Sequence, residues 1–201
     1  IEKFLLARRM MYWSVYLHKT SFVAEELLIR FFKRFDQLDK VTKSSLGTVA
    51  LAGLTNNKTA ELEDKINHFT QLDDNDIWVT LKAASSCDDA ILVVLANMIL
   101  NRDLLKIQID NQPIDKTKLA DKQKFFMEKL GLSATAIDYF VFSGSLSTQG
   151  YNLDEQPIKL CSLDGALTLF DASSKNAHFP ILTRKDYKYF LAFPKQDGYF
   201  S

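Results

Sequence analysis

The sequence predicts a mainly α-helical protein with a small α+β part towards its C-terminal end. Between Phe4 and Leu38, apolar residues recur at three- and four-residue spacing, and no Gly or Pro interrupts the stretch. After Gly131, short runs of β-branched and aromatic residues alternate with Gly, Pro, Asn and Asp, which is typical of strands and turns. We therefore expect a helical part over residues 1–110 and an α+β module over residues 111–201.

Residues 4–38 are predicted to form one long amphipathic helix, kinked near Thr20 and Ser21. At 3.6 residues per turn, two cations and two phenols in this helix fall on one stripe: Arg8, Tyr12, Tyr16 and Lys19. Guanidinium groups bind phosphate oxygens and phenols pack on sugars or bases, so the stripe is a candidate nucleotide site. The alternative is the usual structural role, with tyrosines packed in the core and cations in solvent.

The remaining helices are predicted from spacing and from capping residues. Residues 39–57 are interpreted as a loop with one or two helical turns, and residues 59–70 as a helix. Short side-chain oxygens accept hydrogen bonds from first-turn amides, so the Asp73–Asp76 cluster and Asp88 or Asp89 are predicted to cap two further helices. A helix over 116–130 is predicted to end at Gly131.

Five short segments are predicted as strands: residues 104–109, 138–142, 158–162, 166–170 and 187–193. The Asp164-Gly165 pair separates the third from the fourth, which predicts a hairpin. Residues 144–150, GSLSTQG, are interpreted as a plain loop, because neither a Lys nor a following helix completes a phosphate-binding cradle.

Composition excludes several classes of function. The chain has 25 basic and 25 acidic residues, so no global field favours nucleic acid, and binding to RNA or DNA is disfavoured. No apolar run approaches the roughly 20 residues that span a bilayer, so we expect no membrane association. Cys87 and Cys161 are interpreted as buried thiols in a reducing compartment, and the expected location is cytoplasmic.

No complete catalytic centre is predicted. The three histidines, His18, His68 and His178, fall on different predicted elements, and no metal-ligand spacing, P-loop or nucleophile motif occurs. The sequence therefore predicts no catalytic residue, and no metal or other cofactor held by this chain.

Two strings carry a resemblance to a known family. LLARRMMYWSVYLHKTSFVAEELL and, some fifty residues later, LDDNDIWVTLKAASSCDDAILVVLANMILNRDLLKI resemble the C-terminal half of bacterial HD-domain phosphohydrolases. That family is related to the dGTP and dNTP triphosphohydrolases and to the mammalian sterile-alpha-motif-and-HD-domain dNTPase. The resemblance covers residues 1 to about 109 through Y-x-H-K and N-R-x-L-x-K, and it implies an HD-domain-like helical part. The later α+β part resembles bacterial members more weakly.

The resemblance implies roles for two groups of residues. The first group contacts the substrate, with Arg8 on the triphosphate, Tyr12 nearby, and Tyr16 on the deoxyribose, where it helps exclude a 2′-hydroxyl. The mammalian enzyme has His at the position of Tyr12, so the resemblance does not carry a proton-donor role over to it. The second group lies at an effector-nucleotide site at a subunit interface: His18, Lys19, Arg102 and Lys106.

The resemblance also implies that this chain is one half of an enzyme. The family's metal ligands, a His, a His-Asp pair and a later Asp, precede the position where this sequence begins, with Ile1 instead of Met. We therefore expect a fragment that is inactive alone, a divalent metal in the missing half, a deoxynucleotide substrate or effector, and a homo-oligomer. The alternative is a non-catalytic helical module that binds a partner protein through its aromatic face.

Overall fold

The computed structural model describes residues 2–16, 18–56, 61–148, 157–170 and 186–195. Its helices are α1 Glu2–Met11, a π-helical turn Tyr12–Tyr16, α2 Lys19–Asp36, α3 Lys40–Leu46, α4 Val49–Asn56, α5 Leu62–Thr70, α6 Asp74–Ala84, α7 Ala90–Leu100, α8 Lys116–Leu130 and α9 Ala134–Ile137. Its strands are β1 Lys106–Asp110, β2 Phe142–Thr148, β3 Lys159–Cys161, β4 Leu167–Leu169 and β5 Asp186–Phe193. The predicted fold class, mainly α with a small β part, is confirmed.

The prediction of one long N-terminal helix is wrong. Helix α1 ends at Met11, the π-helical turn follows, and α2 begins at Lys19, so the break precedes the predicted kink. No Gly or Pro marks this break. The π-helical residues YWSVY are all weaker helix formers than Ala or Leu, so local propensity favours a regular α-helix less strongly there than the hydrophobic spacing suggests.

The segment after α2 is more helical than predicted, since it contains both α3 and α4. Asp39 caps α3, because its side chain accepts hydrogen bonds from the amides of Val41 at 2.9 Å and Thr42 at 3.0 Å. Gly47 follows α3 as its C-cap residue, and its amide donates to the Lys43 carbonyl. The polar and glycine residues that suggested a loop therefore mark the ends of helices.

The capping residues predicted for the later helices are confirmed, whereas α5 begins at Leu62 and the predicted start at residue 59 lies outside the described residues. Asp73 and Asp76 form a reciprocal capping box at the start of α6, and Asp89 caps α7 by accepting from the Leu92 amide at 2.9 Å. Gly131 has a φ of 64°, a left-handed conformation that glycine adopts without a Cβ penalty, directly after α8.

The strands form two sheets. One has three strands in the order β1-β5-β2, and the other is the antiparallel pair β3-β4, in which Leu160 lies opposite Thr168. The hairpin turn is confirmed, with Gly165 at a φ of 85°. The prediction of a strand over residues 138–142 is wrong. Residues 138–140 form a turn directly after the short helix Ala134–Ile137, and strand β2 begins only at Phe142. Residues 144–148, predicted as loop, continue that strand, while 149–150 lie outside the described residues.

The chain packs as two compact units made of interleaved segments. Unit 1 comprises 1–22, 108–115 and 143–191, and unit 2 comprises 23–107, 116–142 and 192–201. In unit 1, the ring of Phe22 meets that of Phe190 edge to face, with centroids 4.7 Å apart. In unit 2, Phe31 and Phe35 of α2 are fully buried and stack at 6.2 Å. The predicted domain boundary near residue 110 stays a prediction.

The two cysteines are free thiols, but they are less buried than predicted. Cys87 is half-buried in the turn before α7, and Cys161 is exposed in the short strand β3. A short two-stranded hairpin covers few of its own side chains, which explains the exposure of Cys161.

Candidate functional site

Helix α1 is held to the rest of unit 1 by one face. Leu5 is buried and packs with Phe170 in a small apolar cluster, to which Leu160 of the hairpin also belongs. One turn later, Arg9 forms an ion pair with Asp186 at the start of β5, and only 11% of the Arg9 side chain is exposed. Since positions i and i+4 share a helix face, these two contacts fix which side of α1 is turned away from the core.

Arg8 and Tyr12, two of the predicted substrate-binding residues, lie beside that face: Arg8 is three residues after Leu5, and Tyr12, the first residue of the π-helical turn, is three residues after Arg9. The Arg8 guanidinium lies over the Tyr12 ring, 5.7 Å from its centroid, which is within range of a cation–π interaction. Both side chains are exposed, and three further apolar side chains at helical spacing are exposed with them: Phe4, Met11 and Val15. A cation surrounded by exposed apolar groups is unlike an ordinary solvated helix face.

Tyr16 belongs to the π-helical turn, but its side chain lies outside what the structure describes. A π-helix has an i→i+5 bond, so four-residue spacing no longer repeats the 3.6-residue period of α1. The regular stripe that was predicted from Arg8 to Lys19 therefore does not continue beyond Tyr12. π-helical turns are rare and occur frequently at functional sites, so the irregularity falls where the predicted substrate contacts lie.

His18 and Lys19 begin α2. The Nδ1 atom of His18 accepts a hydrogen bond from the Thr20 amide at 3.3 Å, and the His18 carbonyl accepts from the Phe22 amide at 3.0 Å. The Thr20 amide lies in the first turn of α2, where amides have no partner within the helix, so the His18 side chain acts as a cap. Both His18 and Lys19 are exposed, and their predicted effector role stays a prediction.

Arg102 and Lys106, the other predicted effector residues, belong to unit 2, whereas His18 and Lys19 belong to unit 1. Arg102 follows α7 with a φ of 56°, a left-handed conformation that is normally left to Gly or Asn, and its amide donates to the Ile99 carbonyl at 3.2 Å. Lys106 is exposed at the first position of β1.

We expect Arg102→Gly to raise the free energy of unfolding by about 1 kcal/mol, because it removes the left-handed penalty of a residue with a Cβ. Urea denaturation of the two proteins measures the difference. A loss of stability would instead show that the Arg102 side chain makes a stabilising contact that outweighs the backbone penalty.

A second group of functional candidates lines a cleft in unit 2 and was not predicted from the sequence. This cleft, of about 820 Å³, is lined on one side by a cation-rich face of α2. Its other lining residues come from α7 and from the region of α9, including Tyr139. Four of the lining residues, in α2 and directly after it, have i, i+3, i+4 and i+7 spacing, which is the sequence pattern that could have identified them: Arg30, Lys33, Arg34 and Gln37.

Arg34 is held in place by a carboxylate from the start of α7. Its Nε and Nη2 donate to Asp89 at 3.0 and 2.6 Å, and its Nη1 donates to Gln37 at 3.0 Å. Partial burial raises the pKa of Asp89, but the Arg34 contacts and the Leu92 amide outweigh it and hold this pKa below its ordinary value.

Arg30 is more enclosed than Arg34. Its Nη1 donates to Glu26 at 2.5 Å, its guanidinium lies 3.1 Å from the centroid of the Phe142 ring, and its buried Nε has no hydrogen-bond partner among the described residues. Burial lowers the pKa of Arg30, and Glu26 opposes that shift. Arg30 is therefore a structural cation as well as part of the cleft wall.

The described residues do not supply a metal site. Across 2–16, 18–56, 61–148, 157–170 and 186–195, no three His, Cys, Asp or Glu side chains come together in a metal-binding arrangement. His18 and His68 lie in different units, and His178 lies outside the described residues. No helix in the described ranges has the length and apolarity that crossing a membrane requires.

The structure is similar to the crystal structure of a phosphohydrolase from Bacteroides thetaiotaomicron VPI-5482, with a TM-score of 0.82 and 31% sequence identity. The match covers 96% of this chain and 49% of that chain, so this chain spans about half the length of the phosphohydrolase. No protein-family model and no curated protein matches the sequence. The chain therefore has a phosphohydrolase-like fold, as the resemblance in its sequence predicts.

Proposed function

We propose that this chain is part of a metal-dependent nucleotide phosphohydrolase of the HD superfamily, and that it binds the phosphates and sugar of a deoxynucleoside triphosphate. The likeness to half of a phosphohydrolase supports the reaction class, and the exposed Arg8 and Tyr12 pair supports the role in substrate binding. The metal and its ligands are assigned to a part of the enzyme that these 201 residues do not include, so the chain alone is expected to be inactive.

The proposal rests mainly on the different surroundings of two adjacent arginines, Arg8 and Arg9. Arg9 is committed to the ion pair with Asp186, whereas Arg8 remains exposed beside an aromatic ring. A guanidinium group offers five donors in a fixed plane, which suits bidentate contact with phosphate oxygens. A neighbouring phenol ring can pack on a sugar, so Arg8 and Tyr12 together match the two chemical parts of a nucleotide.

Two further roles belong to the same proposal. Tyr16 packs on the deoxyribose and helps exclude ribonucleotides, and His18, Lys19, Arg102 and Lys106 contact an effector nucleotide in a homo-oligomer. The left-handed Arg102 supports a role beyond structure, because glycine would fill that position with less strain.

Calorimetric titration of the chain with dGTP, GTP and deoxyguanosine tests the proposal. We expect saturable binding of dGTP, weaker binding of GTP, and no measurable binding of deoxyguanosine, because the phosphates supply the contact with Arg8. Equal affinity for dGTP and deoxyguanosine, or no binding of either, would contradict it.

A second candidate function is a non-catalytic protein-interaction module. One observation favours it: helix α5 exposes an apolar stripe at i, i+4 and i+7, formed by Leu62, Ile66 and Phe69. Sedimentation of the wild-type chain and of Phe69→Ser, without nucleotide, distinguishes the two candidates. A wild-type oligomer that Phe69→Ser dissociates, in a chain that binds no nucleotide, would favour the interaction module.

A further inference from the structure

We propose that the cleft beside α2 in unit 2 binds the phosphate group of a small phosphorylated ligand, at a site separate from Arg8. Lys33, Gln37 and Tyr139 line this cleft, and no described residue of unit 1 does. Its volume of about 820 Å³ falls in the range of small-molecule sites, which is roughly 300–1,000 Å³.

Two side chains of the α2 wall, Arg34 and Gln37, are held in place by hydrogen bonds. Arg34 is clamped by Asp89 and by Gln37, and the Tyr139 hydroxyl donates to the same Gln37 oxygen at 3.1 Å. The side-chain oxygen of Gln37 accepts from both Arg34 and Tyr139, whereas its side-chain nitrogen, Nε2, makes no hydrogen bond within the described ranges. A donor that is already oriented by its neighbours loses little conformational entropy when a ligand binds.

Lys33 is the lining cation whose charge is not balanced by a carboxylate among the described residues. Arg30 and Arg34 are matched by Glu26 and Asp89, whereas the exposed Lys33 ammonium has neither an ion pair nor a hydrogen bond among the residues that the structure describes. Lys33 in the last turn of α2 and Gln37, the residue directly after that helix, are four positions apart and both line the cleft, so the Lys33 ammonium and the Gln37 Nε2 can donate to one phosphate group.

Two carboxylates also line the cleft, and they define the rest of the ligand. Asp36 is neutralised by the buried Lys43, whose Nζ lies 3.3 Å from it. Asp138 is exposed, accepts from Gln123 at 2.9 Å and interacts electrostatically with Arg30, but it belongs to none of the described ion pairs. A bare polyanion would meet Asp138 unfavourably, whereas a phosphate monoester whose other end carries a hydroxyl or amino donor would satisfy both walls.

The test uses the chain with Arg8→Ala as background, so that binding at α1 does not contribute. Calorimetric titrations compare dGMP, inorganic phosphate and deoxyguanosine, and we expect dGMP to bind more tightly than either of the others. Adding Lys33→Gln should weaken dGMP binding about tenfold, since a charged hydrogen bond is lost. The control is Lys82→Gln, another exposed lysine in the last turn of a helix, which should leave the affinity unchanged.

Three results would overturn the proposal. They are the absence of saturable dGMP binding in the Arg8→Ala chain, equal binding of deoxyguanosine and dGMP, and equal effects of Lys33→Gln and Lys82→Gln. In each case the cations at the end of α2 would serve only the helix dipole, which favours positive charge at a C-terminus. Because Arg8 is absent from every protein compared, failure here leaves the proposed substrate role of Arg8 untouched.

Discussion

Replacing Asp89 with alanine is expected to lower the free energy of unfolding by about 3 kcal/mol, the largest effect that the structure predicts for a single polar side chain. The change removes the N-cap of α7 and leaves the guanidinium of Arg34, whose side chain is 30% exposed, without its carboxylate. Urea denaturation measures the loss. The neighbouring Asp88→Ala is the matched control, because Asp88 is exposed and its loss should change stability by less than about 0.5 kcal/mol.

The pH dependence of the free energy of unfolding, measured for the wild-type chain and for Asp89→Ala, distinguishes loss of the ion pair from loss of packing. The pKa of Asp89 is held below the ordinary value of 3.8, so its contribution is complete above that pH and is lost as pH falls through the lowered pKa. The stability difference between the wild-type chain and Asp89→Ala should therefore be constant from pH 5 to 7 and should shrink below roughly pH 4. A difference that does not change with pH would contradict the role of the charged carboxylate.

Replacing Arg8 with alanine is expected to weaken dGTP binding by about 2 kcal/mol, or roughly thirtyfold, because a bidentate phosphate contact is lost. Folding should be unaffected, since the side chain is exposed. Calorimetry measures the affinity and urea denaturation measures the stability. Lys3→Ala removes another exposed cation from the same helix and should leave dGTP affinity unchanged.

The adjacent arginine should behave in the opposite way. Arg9→Ala removes the ion pair with Asp186, so we expect it to lower stability. If Arg8→Ala lowers stability while dGTP binding is unchanged, Arg8 is a structural residue and the substrate assignment is wrong.

Features that depend on neighbouring residues could be predicted from the sequence. Asp73, Asp89 and Gly131 mark helix ends because each interacts with amides or adopts a φ within its own turn. The hairpin at Gly165 was predictable for the same reason. Local hydrogen bonds and backbone sterics decide these features, so three or four residues of context contain most of the required information.

Features that depend on residues far apart in the chain could not be predicted from the sequence. In the sequence Arg8 and Arg9 are equivalent, and only the position of Asp186, 177 residues further along, assigns Arg9 to an ion pair. The cleft beside α2 likewise depends on Asp89 and Tyr139, which approach α2 only after folding. The spacing of its α2 residues was visible, but spacing alone does not distinguish a binding face from a solvated one.

The break between α1 and α2 is an intermediate case. The run Tyr12–Tyr16 contains no residue that ends a helix outright, but all five of its residues are moderate helix formers. Hydrophobic spacing predicted continuity across it, and the π-helical turn shows that continuity of spacing does not require continuity of the α-helix. Counting propensity separately from spacing would have identified the weak segment.

A crystal structure of the chain with a non-hydrolysable dGTP analogue would show whether Arg8 contacts the phosphates of a deoxynucleotide. We expect phosphate oxygens within about 2.7–3.2 Å of the Arg8 guanidinium nitrogens, with the sugar near the Tyr12 ring. An analogue whose phosphates bind elsewhere, with the Arg8 guanidinium still over the Tyr12 ring and in solvent, would contradict this expectation.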